Sequence, residues 1–132
     1  MLVSVALIAA TIVCTRDFVR VKSARDQFDW LGARWEAGRV SVETVIAGSY
    51  PLMEAEESAL WISKRAARSR HVARLKYILS KVESPVSESN PDTTKRRAAI
   101  IREEIRRYDP DAADEQTENR SKPITNEAPV RH

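Results

Sequence analysis

The chain has 132 residues, 42% hydrophobic and 31% charged, with three glycines and a formal net charge of +3. That length allows one modest domain, and that composition favours long solvated helices over a sheet-based core. The single Cys14 excludes an intramolecular disulfide and a cysteine-based zinc site.

The first stretch, "MLVSVALIAATIVCT", carries no charged side chain. As a helix it spans about 22 Å, short of a hydrocarbon core of roughly 30 Å. Extension to Val21 gives about 31 Å, because Phe18, Val19 and Val21 are apolar and Arg16 and Arg20 can snorkel. Asp17 remains costly at that depth. A cleaved signal peptide fits less well: no Lys or Arg precedes the run, and no small-x-small pair ends it. Residues 1–21 are therefore expected to form an uncleaved membrane anchor, with a signal peptide or a buried core helix as the competing readings. Cys14 reads as a small hydrophobe in this run, since Val13 is too large for the residue before a lipid-modified cysteine. Arg16, Arg20, Lys22 and Arg25 follow the run, which by charge bias puts the body in the cytoplasm. A basic extension upstream of Met1 would reverse that orientation.

No sustained alternation of apolar and polar residues marks a strand, so the expected fold is all-α. Val21, Ala24, Phe28, Leu31 and Trp35 step by three and four, forming one apolar seam on a helix continuous with the anchor. Gly38 takes the next seam position, where a helix stops on positive φ. Ser41 suits the N-cap of a following helix, with Glu43 in its first turn. The reading is an antiparallel helical hairpin over 17–83 with its turn at 38–41. Its second helix is expected to run unbroken from Val42 to Val82, kinked by Pro51 near a loosening Gly48. Leu52, Ala55, Ala59, Ile62 and Ala66 set one register, and Val72, Leu75, Leu79 and Val82 another. The offset reads as a stutter. Acidic residues crowd the start of this helix and basic ones its end, as the helix dipole favours.

The turn carries a resemblance. Trp35-x-x-Gly38-x-x-Ser41-x-x-Thr44-Val45-Ile46-x-Gly48-x-x-x-Leu52-x-x-Ala55 resembles a pattern of the outer membrane efflux channel family (TolC-like). It is also similar to short uncharacterised exported coiled-coil proteins of bacteria with a "W/Y-E-x-G-R" turn before an "L-x-x-A-E" helix. The match covers about residues 20–80 and rests on small and apolar residues at helical spacing. Thr44 stands where the family has Asp, Gly48 replaces an Ala, Pro51 interrupts the helix, and only one hairpin is present. The resemblance implies an envelope helical hairpin with a periplasmic body, and not a channel.

Residues 84–92 read as a linker. A short basic amphipathic helix is expected over 93–108, capped by Asp92 or Thr93, with Ala98, Ile101, Ile105 and Tyr108 on its apolar side. Such a helix either lies on an anionic membrane or docks on the hairpin. The tail over 109–132 reads as disordered. Asn119-Arg120-Ser121 matches a glycosylation sequon by letter only.

The chemistry-bearing residues form no catalytic, cofactor-binding or metal-binding constellation. His71 has no Cys, His or carboxylate at helical spacing. Glu54, Glu56 and Glu57 have no evident partner, and Ser41 and Ser49 lack a nucleophile-elbow context. Trp30, Trp35 and Trp61 read as packing residues. The basic cluster Lys64, Arg65, Arg68, Arg70, Arg74 and Lys76 has two readings beyond a solvated face. One is nucleic-acid phosphate binding, without a recognisable motif. The other follows from the hairpin: with the bend near Val40, Lys64 faces Arg16, so the cluster begins where the membrane begins and meets anionic headgroups. The expected protein is a non-enzymatic, membrane-anchored envelope scaffold or interaction module, stabilised by the membrane, the last helix or a second copy. The alternatives are an accessory component of an efflux or secretion assembly and a membrane-tethered nucleic-acid binder.

Overall fold

The computed structural model describes residues 2–84, 90–109 and 111, with side chains from Ala6 onward. Among the described residues there are four helices and no strand: α1 (Leu2–Glu36), α2 (Val42–Ser58), α3 (Lys64–Val82) and α4 (Pro91–Tyr108). Each packs on the next in chain order. Short connections between them give an up-and-down arrangement.

The seam of α1 faces the bundle. Val21 and Leu31 are buried, and Ala24, Phe28 and Trp35 are half-buried. The helix stops where the seam reaches Gly38, which has φ 70°. The Arg39 N–H donates to the Arg34 carbonyl and the Gly38 N–H to the Trp35 carbonyl, both at 2.8 Å. This paired closure satisfies carbonyls that the helix end would leave open. Three residues later the Ser41 hydroxyl accepts from the Thr44 N–H at 3.3 Å and starts α2. The two helices then approach closely at Gly48. A Cβ built there would lie 2.3 Å from Leu31 Cδ1, so a side chain at this position would displace Leu31.

The expected helix from Val42 to Val82 is not continuous. It ends at Ser58, turns through residues 59–63, and restarts at Lys64. Ser63 caps the new helix, its hydroxyl accepting from the Ala66 N–H at 3.1 Å. The turn is held from inside rather than marked by Gly or Pro: Ala59 and Ile62 are buried with Val21, Ala55 and Ala67. The chain therefore reverses. Leu75, Ile78 and Val82 return to pack with Val42, Val45, Ile46 and Ile101. The apparent stutter is this reversal, and residues 17–83 form a three-helix unit, as do the 20–80 covered by the efflux-channel resemblance. Pro51 lies inside α2, which continues through it. Pro51 and Ala47 are both exposed, so the carbonyl that loses its donor faces water.

The last helix starts at Pro91 rather than at 93. The Asn90 side chain accepts from the Asp92 N–H at 3.1 Å, and proline stands at the first helical position, where no N–H is needed. Ala98 and Ile101 are buried and Ile105 and Tyr108 half-buried, so the apolar side of α4 is spent on α3 and its neighbours. Of the expected linker, 85–89 lie outside the described residues. So does the tail, apart from Asp109 and Asp111.

At its other end α1 outruns its neighbours. Between residues 6 and 20 every position is exposed except the half-buried Asp17, and packing begins at Val21. That is about 22 Å of helix beyond the bundle. No helix of the described residues is long and apolar enough to cross a membrane. Over 2–21 the structure thus shows a helix and leaves the anchor a functional question.

Candidate functional site

Two polar clusters lie between the helices, and neither was legible in the sequence. The first surrounds Glu56, whose side chain is only 1% exposed. Arg74 donates from Nη2 to Glu56 Oε2 at 3.0 Å. Arg25 and Arg70 approach Oε1 at 3.7 and 3.6 Å. Three guanidiniums from α1 and α3 thus converge on one carboxylate of α2. A buried carboxylate requires such partners, because desolvation alone would disfavour its charge. Arg74 also lies over the Phe28 ring, 5.9 Å from its centroid.

The second cluster surrounds His71, which is fully buried on α3. Its ring centroid is 5.2 Å from that of Tyr50 and 5.0 Å from that of Tyr108, the latter edge-on. Neither ring nitrogen has a hydrogen-bond partner. Burial, and then the nearby Arg74 charge, push the imidazole down to about 4, against the opposing pull of Glu104, Glu56 and Glu57. Tyr50 donates to Glu104 Oε2 at 2.5 Å across α2 and α4. Burial, and then this hydrogen bond and the Glu104 charge, raise the Tyr50 hydroxyl well above its ordinary value. The neutral imidazole is a third aromatic ring in a nest joining three helices.

The six basic residues expected at a membrane surface divide in the structure. Lys64 and Lys76 are exposed. Arg65 bonds Asp111 at 2.7 Å, and Arg68 bonds Glu57 at 2.9 Å. Arg70 and Arg74 turn to Glu56. Because the chain reverses at 59–63, the cluster starts at the level of Val21 and runs back toward the α1–α2 turn. It also opens a helix rather than closing one. The dipole then opposes Lys64 and Arg65 instead of favouring them, and acidic partners on α2 and beyond α4 offset the charge. Gly38 and Ser41 act in the α1–α2 turn, beside an open groove of about 870 Å³ lined also by Trp35, Arg39 and Lys81. Among the described residues no three of His, Cys, Asp and Glu stand close enough to hold a metal ion.

The tryptophans divide as well. Trp35 packs against the central cluster. Trp30 and Trp61 are largely exposed, contrary to the packing role expected for all three. Trp61 follows Leu60, which is 74% exposed, at the tip of the α2–α3 turn. The exposed apolar side chains Leu7, Ile8, Ile12, Val13, Phe18 and Val19 lie on the free part of α1 at the same end of the bundle. Comparison of the chain with family models, with curated proteins and with solved structures finds no match.

Proposed function

We propose that this protein is a membrane-anchored, non-enzymatic helical scaffold whose α1 inserts its apolar end into the bilayer and carries the four-helix body at the surface. The observation behind this reading is the free part of α1: large apolar side chains around a helix that no other helix covers. Exposed apolar surface on that scale marks an interaction site. The run from Leu2 to Val21 amounts to about 30 Å of helix, provided Arg16 and Arg20 snorkel to the headgroups. The body presents packed aromatic and ion-paired clusters, which suit a rigid spacer between the anchor and a protein partner or a second copy. The test is cell fractionation with a carbonate wash. Full-length protein should stay with the membranes, and Ile8→Asp with Ile12→Asp should release it. Recovery of the unaltered protein in the soluble fraction would defeat the reading.

A further inference from the structure

We infer that the α2–α3 turn is a second membrane-docking element, whose Leu60 and Trp61 enter the interface of an anionic bilayer alongside α1. The inference deepens the anchor proposal and rests on it.

Its first ground is position. Ala59 and Ile62 flank the turn tip and pack on Val21, the residue where α1 leaves the bundle. The tip is thereby fixed beside the last turn of the free apolar helix. If α1 enters the membrane as far as its snorkelling arginines, Leu60 and Trp61 lie at headgroup depth. The second ground is exposure. Leu60 is 74% and Trp61 49% exposed, on a turn whose two neighbours, Ala59 and Ile62, are buried. Trp61, the bulkiest side chain of the turn, faces outward with Leu60, while Ala59 and Ile62 face in. Tryptophan is favoured at the water–membrane boundary, where its ring meets an apolar layer and its N–H a wet one.

The third ground is charge. Arg16, Arg20 and Lys64 at this end are exposed, and among the described residues they have no ion-pair partner. Arg65 and Arg68 add two more cations, matched by Asp111 and Glu57. The half-buried Asp17 on α1 and the exposed Glu54 on α2 are the acidic groups at this end without an ion-pair partner among the described residues, two against three cations. The unmatched charge is positive, and a juxtamembrane cation is stabilised by anionic headgroups. An anionic lipid surface is therefore the occupant that meets both the apolar tip and its basic surround. A second copy of the chain would meet the apolar tip but would set like charges together.

The test uses the full chain on phosphatidylcholine vesicles with and without phosphatidylglycerol, some carrying lipids brominated near the headgroup. Flotation reports anchoring, and quenching of tryptophan emission reports docking. Trp30 sits about 13 Å of helix beyond Val21, away from the membrane, so it should stay unquenched. With three tryptophans in the chain, docking should quench about one-third of the emission. Trp61→Phe should abolish that quenching while flotation persists, and phosphatidylglycerol should increase it in the parent. Flotation with equal quenching in parent and Trp61→Phe overturns the docking turn and leaves the anchor standing. Failure to float overturns both. A blue shift of Trp61 emission without lipid, with self-association, assigns the tip to a second copy and overturns the inference.

Discussion

Arg74 and Glu56 are joined at 3.0 Å between α3 and α2, and the carboxylate they share with Arg25 and Arg70 is almost wholly enclosed. Removing one side of a buried pair is costlier than the pair is stabilising, because the remaining charge keeps its desolvation penalty. Glu56→Ala leaves the largely buried Arg74 without its carboxylate, while the half-exposed Arg25 and Arg70 can turn to water. It should lower stability by about 3–5 kcal/mol. Arg70→Ala removes an exposed, more distant partner and should cost under about 1 kcal/mol. Urea denaturation of the two variants should separate them by several-fold. Equal losses would mean that the enclosed carboxylate contributes no more than its pairing with the exposed Arg70.

Gly48 tests the contact between α1 and α2. Alanine is favoured over glycine in a helix by about 1 kcal/mol, but here its Cβ must displace Leu31 Cδ1. Leu31 is a flexible side chain, so the two effects should nearly cancel for Gly48→Ala. Gly48→Val adds bulk that rotation of Leu31 cannot clear and should cost about 1–3 kcal/mol. In a Leu31→Ala background that cost should fall, which a double-mutant cycle measures. Additive losses would show that Leu31 is not the obstacle.

The turn at Gly38 raises a different cost. Nothing lies within 4 Å of a Cβ there, so the obstacle to a side chain is the φ of 70° alone. Gly38→Val should lose about 1 kcal/mol or more, and Gly38→Asn less, because asparagine tolerates the left-handed region. Thermal melts of the two variants should keep this order. The reverse order would point to packing rather than backbone conformation.

Those glycines also show how much the sequence could disclose. Gly38 and Ser41 were readable because a helix end uses local chemistry: a residue free to take positive φ, then a hydroxyl to accept an N–H. The seam residues were readable because 3, 4 spacing is local too, and each expected seam residue is buried or half-buried. The reversal at 59–63 was hidden by the same logic. Its residues, "ALWIS", hold neither Gly nor Pro. Ala59 and Ile62 kept the seam spacing while serving as the inside of a turn. Ser63 as a cap and the register offset after Ala66 were the only local signs. The Glu56 and His71 clusters depend on that reversal, since each joins α3 to helices far away in the chain. No spacing rule on one helix could pair Arg25 with Glu56 or His71 with Tyr108.

His71 makes stability depend on pH. Its folded value lies near 4 and its ordinary value is 6.5, because burial and Arg74 disfavour the charged ring. The unfolded chain therefore binds the proton more readily than the folded one. Above pH 6.5 the folded state keeps its full advantage from this group. The advantage is lost as pH falls from 6.5 through about 4, and the loss then levels off. The difference corresponds to at most about 3 kcal/mol. Glu56, Glu57 and Glu104 also face the ring, from α2 and α4, so the comparison with a variant that lacks the imidazole is essential. His71→Phe keeps a ring against Tyr50 and Tyr108 and brings no unpartnered nitrogen into the core. It should match or exceed the parent near pH 7 and lose less stability toward pH 4.5. Urea midpoints at the two pH values measure this directly. If parent and variant weaken equally on acidification, the acid sensitivity does not come from His71.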